Sequence, residues 1–547
     1  MTIRKISSSE ADKTGTLSLA PAGLPSRNST RSYWLQDPSP TLLGHRSTAD
    51  LPETADVVIV GSGITGTFAA KFLKEGLDGN DRAVAGGNAD SSVVMLEARE
   101  ACWGATGRNG GHCQPIVYGS VPAVAAFELE VFEFLERFVR EENVDCDWVS
   151  LTGVHAFLSE NMFELAAAGA ENLKKSHPEL GAQLEVVRAS DGAETLASLR
   201  IPSARGAIVQ KKAASLWPYK LVATVLERLI AKFPAPSFNL QTNTPVTSLS
   251  RTESGPGWTV ITPRGKITAR QVLLATNGYT SHLLPAFSDL IVPVRGQIGA
   301  LLPPPRPDPS ADEPVAKLTH SYVFAADPEP TPAQETAETA PRDDYLVQRP
   351  LRSGGELIYG GGRRLARGLG VGEWRDDEVE PQVARYLRRE LCPPLDLSPT
   401  ADTAEGDGEK QKKEEESRGL ELEASFEWTG VMGYSRDHHA WVGPVPESLG
   451  GGGPEGGLWI CAGYTGHGMP VAALSAREVV RQMLASGNEK YEKEQGEGVK
   501  VRLPREFVLD EERVGRARGL PHLTQGWEAT NFATLFGAGS IAPATRT

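Results

Sequence analysis

The sequence predicts an α/β fold, α+β overall, that opens with a Rossmann-like unit, and three stretches carry this prediction. The run DVVIV at 56–60 is short, β-branched and continuous, as in a parallel strand buried on both faces. The stretch TFAAKFL at 67–73 has apolar positions at helical spacing. A second buried strand is predicted at 93–96, after a Gly-, Asn- and Asp-rich stretch at 76–92. Together these stretches indicate a βαβ unit with a long connection.

A glycine motif joins the first strand to the helix and predicts a dinucleotide site. Gly61 permits a tight turn, Gly63 lets backbone amides approach a pyrophosphate, and Gly66 allows close packing of helix on strand. Glu97 ends the second strand and is placed to accept hydrogen bonds from a ribose, provided that 76–92 is an inserted loop. Both NAD and FAD sites begin in this way. The complete motif is Gly61-Ser62-Gly63-Ile64-Thr65-Gly66.

Composition narrows the class of protein. A chain of 547 residues, 40% of them hydrophobic, can bury a large core and corresponds by length to roughly two to four domains. The formal charge of −14 offers no basic face to nucleic acid or to an anionic membrane. The five cysteines show no metal-ligand spacing, so we expect no metal site and a reduced intracellular protein. We find no signal-peptide pattern, membrane span or peroxisomal signal, and therefore expect a cytoplasmic location.

Further helices and strands are predicted downstream of this unit. Helical patterns occupy 121–142 and 220–232. Strand patterns occupy 239–249, 258–261 and 272–275. The chain therefore continues to alternate the two element types.

Three other segments are predicted to be irregular. Residues 1–50 form a leader whose Tyr-Trp-Leu run at 33–35 is apolar enough to dock on a domain surface. The stretch 303–342 is rich in Pro, Asp, Glu and Thr and is interpreted as a surface insertion. The stretch 401–419 has almost nothing to bury. Neither insertion is expected to carry chemistry.

A family resemblance begins where the second strand ends. Residues 97–115, EAREACWGATGRNGGHCQP, resemble the FAD-dependent D-amino-acid oxidase superfamily, in particular its glycine oxidase, sarcosine oxidase and γ-glutamylputrescine oxidase-like branch. The resemblance resumes at 216–235, 242–251 and 258–287, in family order. It implies FAD as the cofactor and a glutathione-reductase-type flavin fold, in which a Rossmann-like FAD-binding domain carries a mixed-sheet substrate domain.

The resemblance also implies which residues line the FAD. Small residues and backbone amides after the second strand would lie along the diphosphate and ribityl chain. Val246 would touch the adenine through its backbone, and an Ala-Thr-Asn run would lie beside the first glycine loop. The residues implied are Glu97, Ala98, Arg99, Gly104, Ala105, Thr106, Arg108, Asn109, Gly110, Gly111, Val246, Ala275, Thr276 and Asn277.

The last match, at 458–484, consists of a strand, a glycine-rich turn and a helix. In the family this turn sets a helix N-terminus against the N1/C2 carbonyl edge of the isoalloxazine, where reduction places negative charge. His467 is either a catalytic contact or a loop histidine satisfied by solvent. The residues implied at the flavin are Gly463, Tyr464, Thr465, Gly466, His467, Gly468 and Met469.

Arginines mark the substrate domain that the resemblance implies. The segment PVRGQ at 293–297 matches its entrance, and Arg295 is either a ligand residue or a structural ion-pair partner. Residues 345–364 are interpreted as two strands of the sheet that roofs the flavin. Their arginines could hold a substrate carboxylate through two hydrogen bonds, with plain surface charge as the alternative. These candidates are Arg349, Arg363 and Arg364, and the candidate catalytic residues are His467, Arg295 and Arg363.

We predict that the FAD is held noncovalently. Some relatives tether it through a cysteine before the final turn, and 428–434 contains none. Others tether it through a histidine at the position where Arg108 aligns here. His112, a few residues later, leaves a covalent link open.

The resemblance divides the chain between two domains and predicts a reaction. The FAD-binding parts are expected at 51–150, 217–290 and 426–490, the substrate-domain parts at 151–216 and 291–425, and the flanks at 1–50 and 491–547. The expected reaction is hydride transfer from an amine or amino-acid-like small molecule to flavin N5, giving an imine, with O2 as one candidate electron acceptor. The alternatives are oxidation of a non-amine carbon in a secondary metabolite, a flavin monooxygenase, and a non-catalytic FAD-binding protein.

Overall fold

The strands of the protein form two sheets in the computed structural model, which describes residues 20–77, 91–253, 255–304, 316–327, 341–398, 420–486 and 503–523. In chain order the strands are β1 (Thr54–Val60), β2 (Val93–Leu96), β3 (His112–Cys113), β4 (Val149–Phe157), β5 (Leu184–Arg188), β6 (Gly206–Ser215), β7 (Phe238–Gln241), β8 (Ser248–Arg251), β9 (Trp258–Thr262), β10 (Gly265–Leu274), β11 (Ile291–Leu301), β12 (His320–Ala326), β13 (Arg342–Gln348), β14 (Leu357–Gly361), β15 (Ala424–Ser435), β16 (Trp441–Pro444) and β17 (Leu458–Ala462).

The described helices connect and cover these strands. Long amphipathic helices follow the predicted positions, since the patterns at 121–142 and 220–232 correspond to α2 and α6. The α-helices are α1 (Ile64–Glu75), α2 (Pro122–Glu141), α3 (Glu160–Ser176), α4 (Pro178–Gly181), α5 (Ala193–Ser198), α6 (Pro218–Lys232), α7 (Thr280–Leu283), α8 (Pro381–Arg389), α9 (Ala472–Ala485) and α10 (Glu511–Gly519). No helix among the described residues has both the length and the apolar character needed to cross a membrane.

The first sheet contains the predicted βαβ unit. β1 pairs in parallel with β2 and β10, and the parallel set continues to β7 on one side and β17 on the other. Because the carboxyl ends of parallel strands meet at one edge, the segments that follow β1, β2, β10 and β17 converge there. The loop predicted at 76–92 lies mostly outside the described residues. The strand predicted at 239–249 is two strands, β7 and β8, with 242–247 between them.

The second sheet is mixed and has the order β15-β11-β14-β13-β12-β4-β6-β3, with β5 beside β6. β12 pairs with β4 in parallel, whereas β11, β13 and β14 pair antiparallel with their neighbours. The interpretation of 303–342 as a surface insertion is therefore wrong for β12, which lies in the interior of this sheet. Residues 305–315, 328–340 and 399–419 lie outside the described part of the chain.

Sheet membership also bears on the domain boundaries. β3 lies within the predicted first FAD-binding part but belongs to the mixed sheet. β15 belongs there too and ends at Ser435, so we place the last return to the FAD-binding domain after this residue instead of at 425. The remaining boundaries stay predictions.

The described end of the predicted leader is part of the hydrophobic core. Tyr33 and Trp34 are buried against Trp217 and Phe426, with ring centroids 5.5–5.9 Å apart. The run was expected to dock on a domain surface, and its two rings are instead part of the largest buried cluster among the described residues.

Candidate active site

One large cavity runs from the carboxyl edge of the parallel sheet to the mixed sheet. Its volume is about 800 Å³. Segments following β1, β2, β10 and β17 line one part, and residues of β12, β13 and β15 line another. A hydrogen bond joins the segments after β10 and β17, since the backbone N–H of Gly463 donates to the side-chain Oδ1 of Asn277 at 3.0 Å. The cavity thus joins a nucleotide-type cradle to a separate chamber.

The cradle has the features that a dinucleotide requires. Gly63, the N-cap of α1, offers no side-chain hydrogen bond, and the N–H of Ile64 donates to Oγ1 of Thr106 at 3.1 Å. Gly63, Ile64 and Thr65 line the cavity, so the positive end of this helix lies at its wall, where a phosphate is favoured. A Cβ on Gly61 would lie 2.6 Å from the carbonyl oxygen of Ala275, so only glycine fits this turn. Glu97 accepts hydrogen bonds from the N–H and Oγ of Ser62 at 3.0 and 2.6 Å. Its carboxylate therefore stands at the edge of the cradle, where the ribose was predicted.

Most of the predicted cofactor residues line this cavity. Three glycines are exceptions: a Cβ on Gly66 would lie 2.0 Å from the carbonyl oxygen of Gly61, which is the close helix–strand packing expected of it. Gly111 and Gly463 instead form turns with positive φ, at 65° and 78°. The predicted residues that line the cavity are Gly61, Ser62, Gly63, Ile64, Thr65, Glu97, Ala98, Arg99, Gly104, Ala105, Thr106, Arg108, Asn109, Gly110, Val246, Ala275, Thr276, Asn277, Tyr464, Thr465, Gly466, His467, Gly468 and Met469.

The final turn lies where the resemblance placed it, between β17 and α9. The helix begins at Ala472, because Val471 departs from the helical conformation and serves as its N-cap. The hydroxyls of Tyr464 and Thr65 lie 2.7 Å apart, which connects this turn to the first turn of α1. The contact of its helix N-terminus with the flavin stays a prediction.

Five arginines line the cavity, and each is paired with a carboxylate. The shortest N–O separations of these pairs lie between 2.7 and 3.3 Å. Burial lowers the pKa of Arg108 to about 10, although the neighbouring carboxylate opposes this shift. The pairs are Arg99 and Arg108 with Asp376, Arg295 with Glu380, Arg342 with Asp344, and Arg363 with Asp343.

Segment 20–46, which we had not connected with the site, contributes to the cavity and holds its loops. Gly23, Leu24 and Pro25 line the cavity. The indole Nε1 of Trp34 donates to the carbonyl of Asn109 at 2.5 Å, and the Oγ of Ser32 donates to the carbonyl of Gly107 at 2.8 Å. Its only sequence signal is the short apolar run at 33–35.

The part of the cavity beside the mixed sheet is called the substrate chamber below. Aromatic, histidine and charged side chains from the mixed sheet, from α2 and from the turn after β17 meet there. A Cβ on Gly110 would lie 2.1 Å from Cε2 of Tyr345, so the backbone of the segment that follows β2 is in direct contact with this ring. The polar members are His112, Gln114, Glu128, His155, Asp343, Tyr345, Arg363, Tyr434 and His467.

A carboxylate–histidine pair crosses the chamber. Nε2 of His467 lies 2.9 Å from Oε2 of Glu128, a residue of α2. The same oxygen accepts the backbone N–H of Ile116 at 2.7 Å. With Nε2 donating to the carboxylate, Nδ1 of His467 is left as an acceptor, and no described residue hydrogen-bonds to it. The sequence singled out His467 but not Glu128.

A second ion pair forms the opposite wall. Nη2 of Arg363 lies 3.0 Å from Oδ2 of Asp343 and donates to the hydroxyl of Tyr434 at 2.9 Å. Burial raises the pKa of Asp343, and the guanidinium of Arg363 opposes this shift. Among the three arginines proposed to hold a carboxylate, this one alone lines the cavity.

Two histidines complete the wall in neutral form. Nδ1 and Nε2 of His155 lie 2.6 Å from the hydroxyl of Tyr118 and 2.7 Å from Nε2 of Gln114. His112 lies 2.9 Å from the hydroxyl of Ser321 and stacks on Tyr345. Burial, together with the other histidines nearby, lowers the pKa of His112 and of His155 to about 3.

Two of the arginine candidates lie outside the cavity, and a third forms an ion pair. Arg349 is fully buried between Trp34 and Trp217, pairs with Asp147 at 2.6 Å and does not line the cavity. Arg364 packs over the ring of Tyr386 and does not line it either. Arg295 pairs with Glu380 at 2.7 Å and also lines the cavity, so a role as a ligand residue stays a prediction.

Comparison with known sequences gives a family match. The family described as FAD dependent oxidoreductase, DAO, matches residues 56–482. A curated protein, the probable oxidoreductase OrdL of Rhizobium meliloti (strain 1021), is 24% identical over 432 residues. That alignment spans 76% of this chain and 80% of the relative.

Comparison with solved structures gives the same fold. Glycine oxidase from Geobacillus kaustophilus superposes with a TM-score of 0.56 at 16% identity, covering 84% of this chain and 99% of that one. L-amino acid deaminase from Proteus vulgaris, with its specific insertion sequence deleted, gives 0.51 at 17% identity, covering 85% and 96%. L-proline dehydrogenase from P. horikoshii gives 0.51 at 17% identity, covering 82% and 100%.

Proposed function

The chain belongs to the DAO family of FAD-dependent oxidoreductases, and on that premise we propose that it oxidises the C–N bond of an amine or amino-acid-like small molecule. When bound, FAD supplies the hydride acceptor. The substrate carbon next to nitrogen gives up a hydride, and the resulting imine is hydrolysed by water to a carbonyl compound and an amine or ammonia. O2 or another electron acceptor would then take up the two electrons of that hydride and return the cofactor to its oxidised form.

The cavity residues fit FAD. The α1 N-terminus at the cavity wall, a cradle at Gly61 that a Cβ would fill, and a carboxylate at Glu97 suit the diphosphate and the ribose. The chamber adjoins this cradle through the contact of Gly110 with Tyr345. These observations support the residue-by-residue assignment, which is part of the proposal.

The pairing of Glu128 with His467 carries the proposal for C–N chemistry. An amine can release a hydride only after its ammonium form has lost a proton. His467, with Nε2 held by Glu128 and Nδ1 as an acceptor, is placed to take that proton. The chamber walls orient the substrate and exclude water from it.

Anaerobic mixing of the purified flavoprotein with single amines and amino acids tests the proposal. We expect the absorbance of oxidised flavin to bleach with one class of nitrogen compound and a carbonyl product to appear after acid quench. Bleaching by NADPH alone, or only by substrates that lack an amine, would contradict C–N oxidation. The first result would favour a monooxygenase, and the second an oxidase of a non-amine carbon.

We also propose that the FAD is bound noncovalently. No cysteine lines the described cavity, and the guanidinium of Arg108 is held by the carbonyl oxygens of Thr429 and Thr30. His112 faces Ser321 and Tyr345. Acid precipitation should release all of the flavin into the supernatant, and flavin that stays in the pellet would show a covalent link.

A further inference from the structure

We infer that the substrate is an amine whose reacting carbon carries no carboxylate, and not an α-amino acid. This inference rests on the proposed function and narrows it. The strongest recognition of a carboxylate comes from a guanidinium or ammonium whose charge is not already compensated. Arg99 and Arg108, in the nucleotide cradle, share Asp376, whereas Arg295, Arg342 and Arg363 each have a carboxylate partner of their own. No lysine lines the described cavity.

Arg363 is the cation that faces the substrate chamber, so its surroundings determine whether the chamber can bind a substrate carboxylate. Asp343 lies 3.0 Å from its Nη2 and lines the same wall. A substrate carboxylate that approached Arg363 would meet this second carboxylate at close range. The repulsion between the two anions would offset the attraction of the guanidinium.

The remaining charges of the chamber favour a cation. Glu128 and Asp343 are acidic, Arg363 is basic, and His112 and His155 remain neutral at physiological pH. Glu128, Asp343 and Arg363 together therefore carry one net negative charge, which attracts an ammonium and repels a carboxylate.

Apolar walls accompany this charge pattern. Val124 of α2, Val323 of β12 and Phe507 line the same cavity. Such walls suit the carbon skeleton of an alkyl or arylalkyl amine, because burial of apolar surface is favourable without any fixed partner.

The first experiment compares amines with the amino acids that share their side chains. The pairs are 2-phenylethylamine with D- and L-phenylalanine, and isoamylamine with D- and L-leucine. We expect the second-order rate constant of anaerobic flavin reduction to be at least about tenfold higher for the amine of each pair. Equal or faster reduction by the amino acids would overturn the inference while leaving C–N oxidation intact.

The second experiment needs no turnover. Benzoate is titrated into the oxidised holoenzyme and its binding is read from the perturbation of the flavin spectrum. Asp343→Asn removes the competing charge beside Arg363, and Asp343→Glu keeps it. We expect the Kd for benzoate to fall by about tenfold or more in Asp343→Asn relative to both wild type and Asp343→Glu.

The outcomes separate the two proposals. Tight benzoate binding by wild type, or no gain in Asp343→Asn, would overturn the inference whatever the enzyme oxidises. If no nitrogen compound reduces the flavin, the proposed function fails, and benzoate binding still decides whether the chamber accepts a carboxylate. Retention of flavin and an unchanged thermal midpoint verify that each variant is folded.

Discussion

Glu128 and His467 lie 339 positions apart in the sequence, and the fold brings Oε2 of Glu128 to 2.9 Å from Nε2 of His467. One belongs to a long helix and the other to the turn that follows the last strand of the parallel sheet. Their contact brings a buried carboxylate to the histidine that the glycine-rich turn presents to the cavity. A hydrogen bond of this kind fixes the tautomer and orientation of the imidazole.

Glu128→Gln tests this relationship. The amide keeps an acceptor for the N–H of Ile116 but removes the charge beside His467. We expect the limiting rate of flavin reduction to fall by about 10–100-fold with little change in substrate Kd. Stopped-flow absorbance gives both values. Glu133→Gln, a change in an exposed pair on the same helix, is the matched control, and an equal loss in the control would contradict a role for the pair.

Gly66→Ala should prevent α1 from packing on the end of β1. The new Cβ would lie 2.0 Å from the carbonyl oxygen of Gly61, so helix and strand would have to separate. We expect a loss of about 2–4 kcal/mol in the free energy of unfolding, measured by urea titration. Gly515→Ala, in α10 with nothing within 4 Å, should be neutral or slightly stabilising. Equal stability of the two variants would argue against the close approach.

Arg349→Met should lower the free energy of unfolding without changing the substrate Kd. Arg349 and Arg352 both pair with Asp147, but their side chains are 1% and 74% exposed. Removal of the buried partner should cost about 3–5 kcal/mol, whereas Arg352→Met should cost less than about 1 kcal/mol. Urea unfolding measures the difference. A raised substrate Kd in folded Arg349→Met would instead restore Arg349 as a substrate ligand.

The buried histidines predict a pH dependence of stability. In the unfolded chain His155 gains a proton near its ordinary pKa of 6.5, whereas in the folded chain it stays neutral down to about 3. Its contribution is therefore complete above pH 6.5 and is lost as the pH falls, by about 1.4 kcal/mol per pH unit. His155→Gln should flatten the slope of unfolding free energy between pH 6.5 and pH 5 relative to wild type. An unchanged slope would show that His155 is protonated in the folded protein.

Local patterns in the sequence determined the nucleotide-binding edge. A β-branched run followed by Gly61, Gly63 and Gly66 at this spacing is typical of a strand, a tight turn and a helix that packs on the strand. The packing requirement at Gly66 is local, because its Cβ would meet the carbonyl oxygen of Gly61 five residues earlier. The sequence also predicted α2 and α6, because the amphipathic periodicity of each helix reflects the face that it buries. These features depend on neighbours in the chain.

Tertiary structure decided everything that depends on which distant groups meet. Arg349, Arg363 and Arg364 look alike in sequence, yet the fold buries the first beneath two indoles, sets the second in the chamber and packs the third on Tyr386. β12 was hidden in a Pro- and Asp-rich stretch because its pairing with β4 and β13 outweighs local composition. The net charge of the substrate chamber depends on residues that are far apart in the chain, so no local sequence pattern predicts it.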